Sequence, residues 1–157
     1  MPYRNKTFIS GDWTGDQEAV KKLRKYNDSD HWGLSFRDVH NDFSSDGNAA
    51  TIKKSISERL DNSKVMLAVV GDHTANLRSG SNSNVTGNSG KSFVQYEHDG
   101  AVKRDIPIIA VYNGKVDKSK CPDAIKDVAV AHVSVDDYQA LNKVYQEHKN
   151  DALKKNR

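Results

Sequence analysis

Two hydrophobic periods take turns along this chain. Lys6–Gly11 (KTFISG) is a short β-rich run, and Asp16–Tyr26 after it places Ala19, Val20 and Leu23 at helical spacing. Gly33–Asp38 (GLSFRD) reads as a second strand, followed by the polar segment VHNDFSSDGN. Ala49–Leu60 (AATIKKSISERL) sets Ile52, Ile56 and Leu60 at i, i+4, i+8, the single buried stripe of an amphipathic helix. Lys64–Gly71 (KVMLAVVG) is unbroken and apolar, as expected of a central parallel strand covered on both faces. A long polar stretch, Asp72–Lys91, separates it from a helix over Ser92–Arg104, with Ser92 as its N-cap. Ile106–Asn113 reads as a fourth strand, Cys121–Val128 as a short turn or helix, and Ala129–Val135 as a fifth strand. The last helix, Asp136–Lys155, carries Tyr138, Leu141, Tyr145 and His148 at helical spacing.

Strands alternating with helices imply a mostly parallel sheet with helices on both faces. With right-handed crossovers, the expectation is a three-layer, doubly wound, flavodoxin-like α/β fold with a five-stranded sheet of order 2-1-3-4-5. The 157 residues suit a single domain, 1–157, with no repeat and no linker. A domain of about 150 residues buries roughly 68–70% of its unfolded surface, enough for a core. Ligands of such sheets sit beyond the carboxyl ends of the strands, at the switch point between strands 1 and 3. That rule gathers Ser10, Asp12, Trp13 and Asp16 after strand 1, Asp38, His40 and Asn41 after strand 2, and Asp72, His73 and Thr74 after strand 3.

Glu97 falls among them, in the second turn of the helix after strand 3. It shares a face with Val94 and Ala101 by i, i+3, i+7 spacing. A carboxylate in an apolar stripe is either a buried acid with a shifted pKa and a chemical role, or an edge residue that reaches solvent or pairs with a lysine. Among the histidines, His40 and His73 fall on site-facing loops and His132 reads as a core or edge residue of strand 5. His31, His98 and His148 read as ordinary surface or helix residues.

The stretch Gly80–Ser92 (GSNSNVTGNSGKS) ends like a phosphate-binding P-loop, but the first glycine that motif requires is Val85 here. The nearest strand also ends about twenty residues upstream, too far for so tight a wrap. A Gly/Ser/Asn loop of this length fits better as a lid over a site. A phospho-accepting receiver domain shares the fold. It would require an acidic pair after strand 1 and a lysine ending strand 5, where this chain has VSVDDY.

Composition removes several classes. The net charge of +3 is mild and partly carried by the last segment, KNDALKKNR, so nucleic-acid binding is not indicated. Cys121 is the one cysteine, which excludes an internal disulfide and a cysteine-based zinc site. No signal-like segment opens the chain and no apolar run is long enough to span a bilayer, so the reading is cytoplasmic, without a membrane partner.

Four stretches together resemble the TIR-like subunit of Thoeris-type bacterial anti-phage systems, from about Lys6 to Asn113. KTFISGDWTGD resembles that family's first strand and acidic, aromatic loop, and FRDVHND its second strand and loop. NAATIKKSISERLDNSKVMLAVVGDHT resembles its helix, central strand and Gly-x-His-Thr ending. FVQYEHDGAVKRDIPIIAVYN resembles its W-x-x-W-E helix and fourth strand, with Phe93 and Tyr96 in place of the tryptophans. The first loop departs from the family's Asp-x-Asp-Asn-Asp-Arg. The resemblance implies cleavage of the nicotinamide–ribose bond of NAD+ and formation of a cyclic or modified ADP-ribose signal. It maps the catalytic glutamate onto Glu97. Substrate contacts are expected from Phe8, Ser10, Asp12, Trp13, Asp38, His40, His73 and Ser92, with Phe8 reading equally as a core residue. NAD+ enters as substrate, with no cofactor and no metal. Self-association, a separate signal-activated effector and a phage-derived trigger are the implied partners. Two alternatives stand beside this reading: a non-catalytic TIR-type assembly module, and another N-glycosidic enzyme such as a nucleoside deoxyribosyltransferase.

Overall fold

The computed structural model describes residues 6–11, 17–28, 37–38, 49–71 and 93–148. In chain order these form β1 (Lys6–Ser10), α1 (Gln17–Asp28), β2 (Arg37–Asp38), α2 (Ala49–Asp61), β3 (Ser63–Val70), α3 (Phe93–Lys103), β4 (Ile108–Tyr112), α4 (Asp123–Lys126), β5 (Ala131–Ser134) and α5 (Tyr138–His148). The strands pair in the order β2-β1-β3-β4-β5, every pair parallel. The α/β class and the parallel sheet agree with the sequence pattern and are consistent with a flavodoxin-like fold. Of the expected second strand, GLSFRD, the described part is Arg37–Asp38, and 33–36 lie outside the described residues. The polar stretch Asp72–Lys91 and the chain beyond His148 lie outside them too.

Strand periodicity sorts the core into two layers. Phe8, Met66, Ala68, Val70, Ile108, Ala110 and Tyr112 point to one face of the sheet, where Ile56 and Leu60 of α2, Ala101 of α3 and Ile125 of α4 cover them. Ile9, Val65, Leu67, Val69, Ile109, Val111 and Val133 point to the other, beneath Ala19, Val20 and Leu23 of α1 and Leu141 and Tyr145 of α5. Successive side chains of a strand face opposite ways, so a strand buried on both faces has no polar position to spare. That is why β3 reads as one apolar run. Each Val, Leu, Ile or Met removed from water contributes roughly 1.5–3 kcal/mol.

Two local features fix the helices against this sheet. A Cβ at Gly100 would stand 2.6 Å from Leu60 Cδ1, so the glycine lets α3 lie close on α2. Arg104 at the end of α3 donates through Nε to Asp61 Oδ1 at 2.8 Å and through Nη2 to Ser57 Oγ at 2.7 Å. This clamp joins the last turns of α2 and α3 at the edge where β3 begins. The first turns of α3 therefore stand at the opposite edge, beside the carboxyl ends of the strands. β1 pairs with β3 from Thr7 against Val65 to Ser10 against Ala68, after a register shift between Lys6 and Thr7, so Ser10 comes level with Ala68.

The turn after β4 carries Gly114 at φ 107°, a conformation that L side chains rarely adopt, and a Cβ there would meet nothing within 4 Å. Gly114→Ala isolates a backbone effect with no steric clash. It is expected to lower stability by about 1–3 kcal/mol, read as a reduced denaturation midpoint at unchanged m-value.

Candidate active site

The carboxyl edge of β1 and the first turns of α3 bring together two polar side chains in an otherwise apolar layer. Ser10 follows Phe8 by two positions and so faces the same layer, toward α3. Its Oγ donates a hydrogen bond of 2.7 Å to Glu97 Oε1 across 87 residues of sequence. Neither group is at the surface: Ser10 is 0% exposed and Glu97 4%. Glu97 is thus not an edge residue, and among the described residues no lysine pairs with it.

Burial dominates its ionisation. Desolvation pushes the Glu97 carboxyl up to about 8, against the opposing pull of the Ser10 hydroxyl and the Arg59 guanidinium. At neutral pH the carboxyl is mostly protonated, and it can be recruited as an anion when positive charge appears beside it. Arg59, on α2, was not among the residues singled out from the sequence. It stands one position before Leu60 in the core stripe, and its charge reaches the site from the neighbouring helix.

The next residue corrects an expectation. His98 reads from the sequence as an ordinary helix or surface position, yet it is 0% exposed, and among the described residues neither ring nitrogen has a hydrogen-bond partner. Burial lowers its pKa to about 4, with Asp99 opposing, so the ring is neutral. α3 packs against α2 and α4 as well as the sheet, which widens its buried face beyond the stripe of Val94, Glu97 and Ala101. The available sequence signal was that His98 lies four residues after Val94 and three before Ala101.

Phe8 takes the core alternative of its two readings. It has no exposed surface and packs with Ile56, Leu60 and Met66 in the core, so it offers no face on which a substrate ring could stack. Tyr96 packs partly buried against the same layer. Asp12, Trp13, His40, His73 and Ser92 lie outside the described residues, as does Lys91. Asp38 ends β2, and only its backbone is described. The structure therefore brings Ser10 and Glu97 together and leaves the other expected substrate contacts unplaced.

Polar groups elsewhere are engaged structurally. His132 Nε2–H donates to the Lys126 carbonyl at 3.1 Å, which leaves Nδ1 to accept from the Tyr112 hydroxyl at 2.8 Å. It is the satisfied residue that its strand position suggested. Cys121, in a polar segment of the sequence, is buried in the core beside Tyr112, and burial raises its thiol pKa. A cavity of about 330 Å³ opens at the opposite edge of the sheet, lined by Val102, Asp105, Ile106, Pro107, Val128 and Val130. Asp105 is the only ionisable group in that lining, too little for acid–base or glycosidic chemistry. Among the described residues no group of three His, Cys, Asp or Glu side chains could hold a metal ion, and no helix is long and apolar enough to cross a membrane.

Opposite pKa shifts in adjacent residues give a separable pH dependence. Glu97 keeps its proton longer folded than unfolded, so its contribution to stability falls as pH rises from 4.5 to about 8, then levels off. His98 takes its proton later folded than unfolded, so its contribution falls as pH drops from 6.5 to about 4. The two oppose each other on the acid side, and Glu97 acts alone between 6.5 and about 8. Across that interval wild type is expected to lose on the order of 1–2 kcal/mol relative to Glu97→Gln. Urea denaturation of both proteins at stepped pH measures the difference, and a constant difference would contradict the burial of the carboxyl.

Residues 8–79 of the chain match the family model described as Thoeris protein ThsB, TIR-like domain. The matched region runs from β1 through β3 and includes Ser10, and it ends before α3 and Glu97. A search of curated proteins finds no match.

Proposed function

From a chain whose residues 8–79 match the ThsB TIR-like domain, we propose an enzyme that cleaves the nicotinamide–ribose bond of NAD+ in bacterial anti-phage signalling. Glu97 is its essential carboxylate. The observation that carries this reading is the pair itself: an acid buried at the carboxyl edge of a parallel sheet, hydrogen-bonded to Ser10 at 2.7 Å. A buried acid is costly to keep and is a frequent mark of a functional site.

The chemistry fits such a group. The bond between ribose C1′ and the pyridinium nitrogen breaks with both electrons going to nitrogen, so nicotinamide leaves neutral and needs no general acid. Positive charge then develops on the sugar as an oxocarbenium ion, as in glycoside hydrolysis. The reaction uses the ionised fraction of Glu97, whose proton has gone to solvent beforehand, and a carboxylate poorly solvated by apolar surroundings gains most when the cation develops, which favours the transition state over the ground state. Capture by water gives ADP-ribose and a proton, whereas capture by a nucleophile within the same molecule gives a cyclic product and a proton. The second route requires water to be kept away from the cation. The polar segment Asp72–Lys91, read from the sequence as a lid, lies outside the described residues. No cofactor or metal takes part, and NAD+ is the substrate. Copies of the chain assemble for activity, a phage component triggers them, and a separate effector receives the signal.

One observation favours a second reading. Glu97 is 4% exposed, and an acid sealed in this way suits a non-catalytic TIR-type assembly module equally well. Turnover decides between them. Purified protein at high concentration, with NAD+ and mass-spectrometric detection, is expected to release nicotinamide together with an ADP-ribose-type product. Glu97→Gln is expected to reduce the rate by at least 100-fold, in the range seen when a charge-stabilising group is lost. Release that survives in Glu97→Gln would remove Glu97 from the reaction. Absence of release from wild type, also in lysate of phage-infected cells, would favour the assembly module. Turnover of nucleosides in place of NAD+ would point to a deoxyribosyltransferase.

A further inference from the structure

Glu97 is held from β1 by a hydroxyl that the sequence pattern placed among the substrate contacts. The Ser10 hydrogen is directed at Glu97 Oε1 at 2.7 Å, and Ser10 has no exposed surface. A hydroxyl has one hydrogen to donate, so while this bond stands Ser10 has none for a ligand. The bond also joins elements 87 residues apart in sequence, so local backbone geometry does not account for it. β1 lies between β2 and β3 in the sheet, and the register of Ser10 against Ala68 fixes the hydroxyl in place. α3, which carries Glu97, follows a long polar segment and owes its place to packing against β1, α2 and α4.

We propose that Ser10 is a positioning residue for Glu97: it anchors Oε1 and leaves Oε2 as the oxygen presented to substrate. The proposal rests on Glu97 being the reacting carboxylate. It reassigns Ser10 from binding substrate to orienting and ionising the acid. A donor hydroxyl stabilises the carboxylate over the carboxylic acid, so it acts against the burial that keeps the proton on. Arg59 assists from α2 through its charge, which also favours the anion. Within α3, Asp99 acts on His98 and is not among the groups that shift Glu97.

Ser10→Ala removes the hydroxyl, and Ser10→Thr restores it with one added methyl group. For Ser10→Ala, kcat for NAD+ is expected to fall on the order of 10- to 100-fold with KM little changed, the scale of a misplaced reacting group. The pH midpoint of the kcat profile is expected to move upward by about one unit. Ser10→Thr is expected to recover most of both. In parallel, carboxyl-carbon NMR of selectively labelled protein follows the titration of Glu97 whether or not the protein turns over NAD+. An upward shift of the Glu97 midpoint in Ser10→Ala, reversed in Ser10→Thr, supports the positioning role even if the NAD+ reading fails. An unmoved midpoint in folded Ser10→Ala overturns the proposal. A rise in KM at unchanged kcat and unchanged titration would return Ser10 to substrate binding and overturn it equally.

Discussion

β3 is the element on which the rest of the molecule depends. Its Val65–Val70 stretch is buried on both faces and hydrogen-bonded on both edges, to β1 and to β4. A strand in that position tolerates no polar side chain, because no water reaches it and no spare backbone group can serve as partner. Once β3 is placed, the two helical layers follow from alternation: what points one way needs α2, α3 and α4, and what points the other needs α1 and α5. The polar residues of the interior are thereby driven to strand ends and helix turns. Ser10 stands at the end of β1 and Glu97 in the second turn of α3, where the apolar layer gives out.

That placement has a thermodynamic cost. A carboxyl raised to about 8 and an imidazole lowered to about 4 sit side by side on one helix, and in both cases burial is the first cause. An uncommitted core would use leucine at either position. The His98 ring leaves two polar atoms unsatisfied, a penalty of about 1–3 kcal/mol for each group left without a partner. Folded proteins retain such residues where they serve a purpose, and selection tolerates the lost stability as long as the rest of the core compensates. Here the two-layer core and the Arg104–Asp61 clamp supply that compensation.

Much of the architecture was legible because period two and period 3.6 are read directly from residue types. KVMLAVVG could only be a strand covered twice, and Ile56 and Leu60 of the α2 stripe both arrive in the core. His98 was misread for a physical reason. Spacing gives the centre of a buried stripe but not its width, and the width depends on how many neighbours a helix has. Cys121 is flanked by polar residues, while its own side chain is buried beside Tyr112. Phe8 illustrates the reverse: a strand residue two positions from a site residue shares its face, but only the last position on the strand reaches the edge.

The site itself was legible as a location before it was legible as an arrangement. The rule that ligands gather at the carboxyl edge of a parallel sheet depends only on topology, and it named β1 and the start of α3 without reference to a family. The bond between Ser10 and Glu97 depends on register, on the close approach of α2 to α3 at Gly100, and on the rotation of α3 about its axis, none of which can be read from one chain's sequence. The matched family region ends at residue 79, so the partner on β1 lies inside it and the acid outside it. What joins them is packing: α3 has no covalent reason to present Glu97 to Ser10, and it does so because Val94 and Ala101 must be buried. The same stripe that makes Glu97 costly also aims it. Any substitution that rotates α3 would therefore move the acid away from its hydroxyl before it unfolded the core.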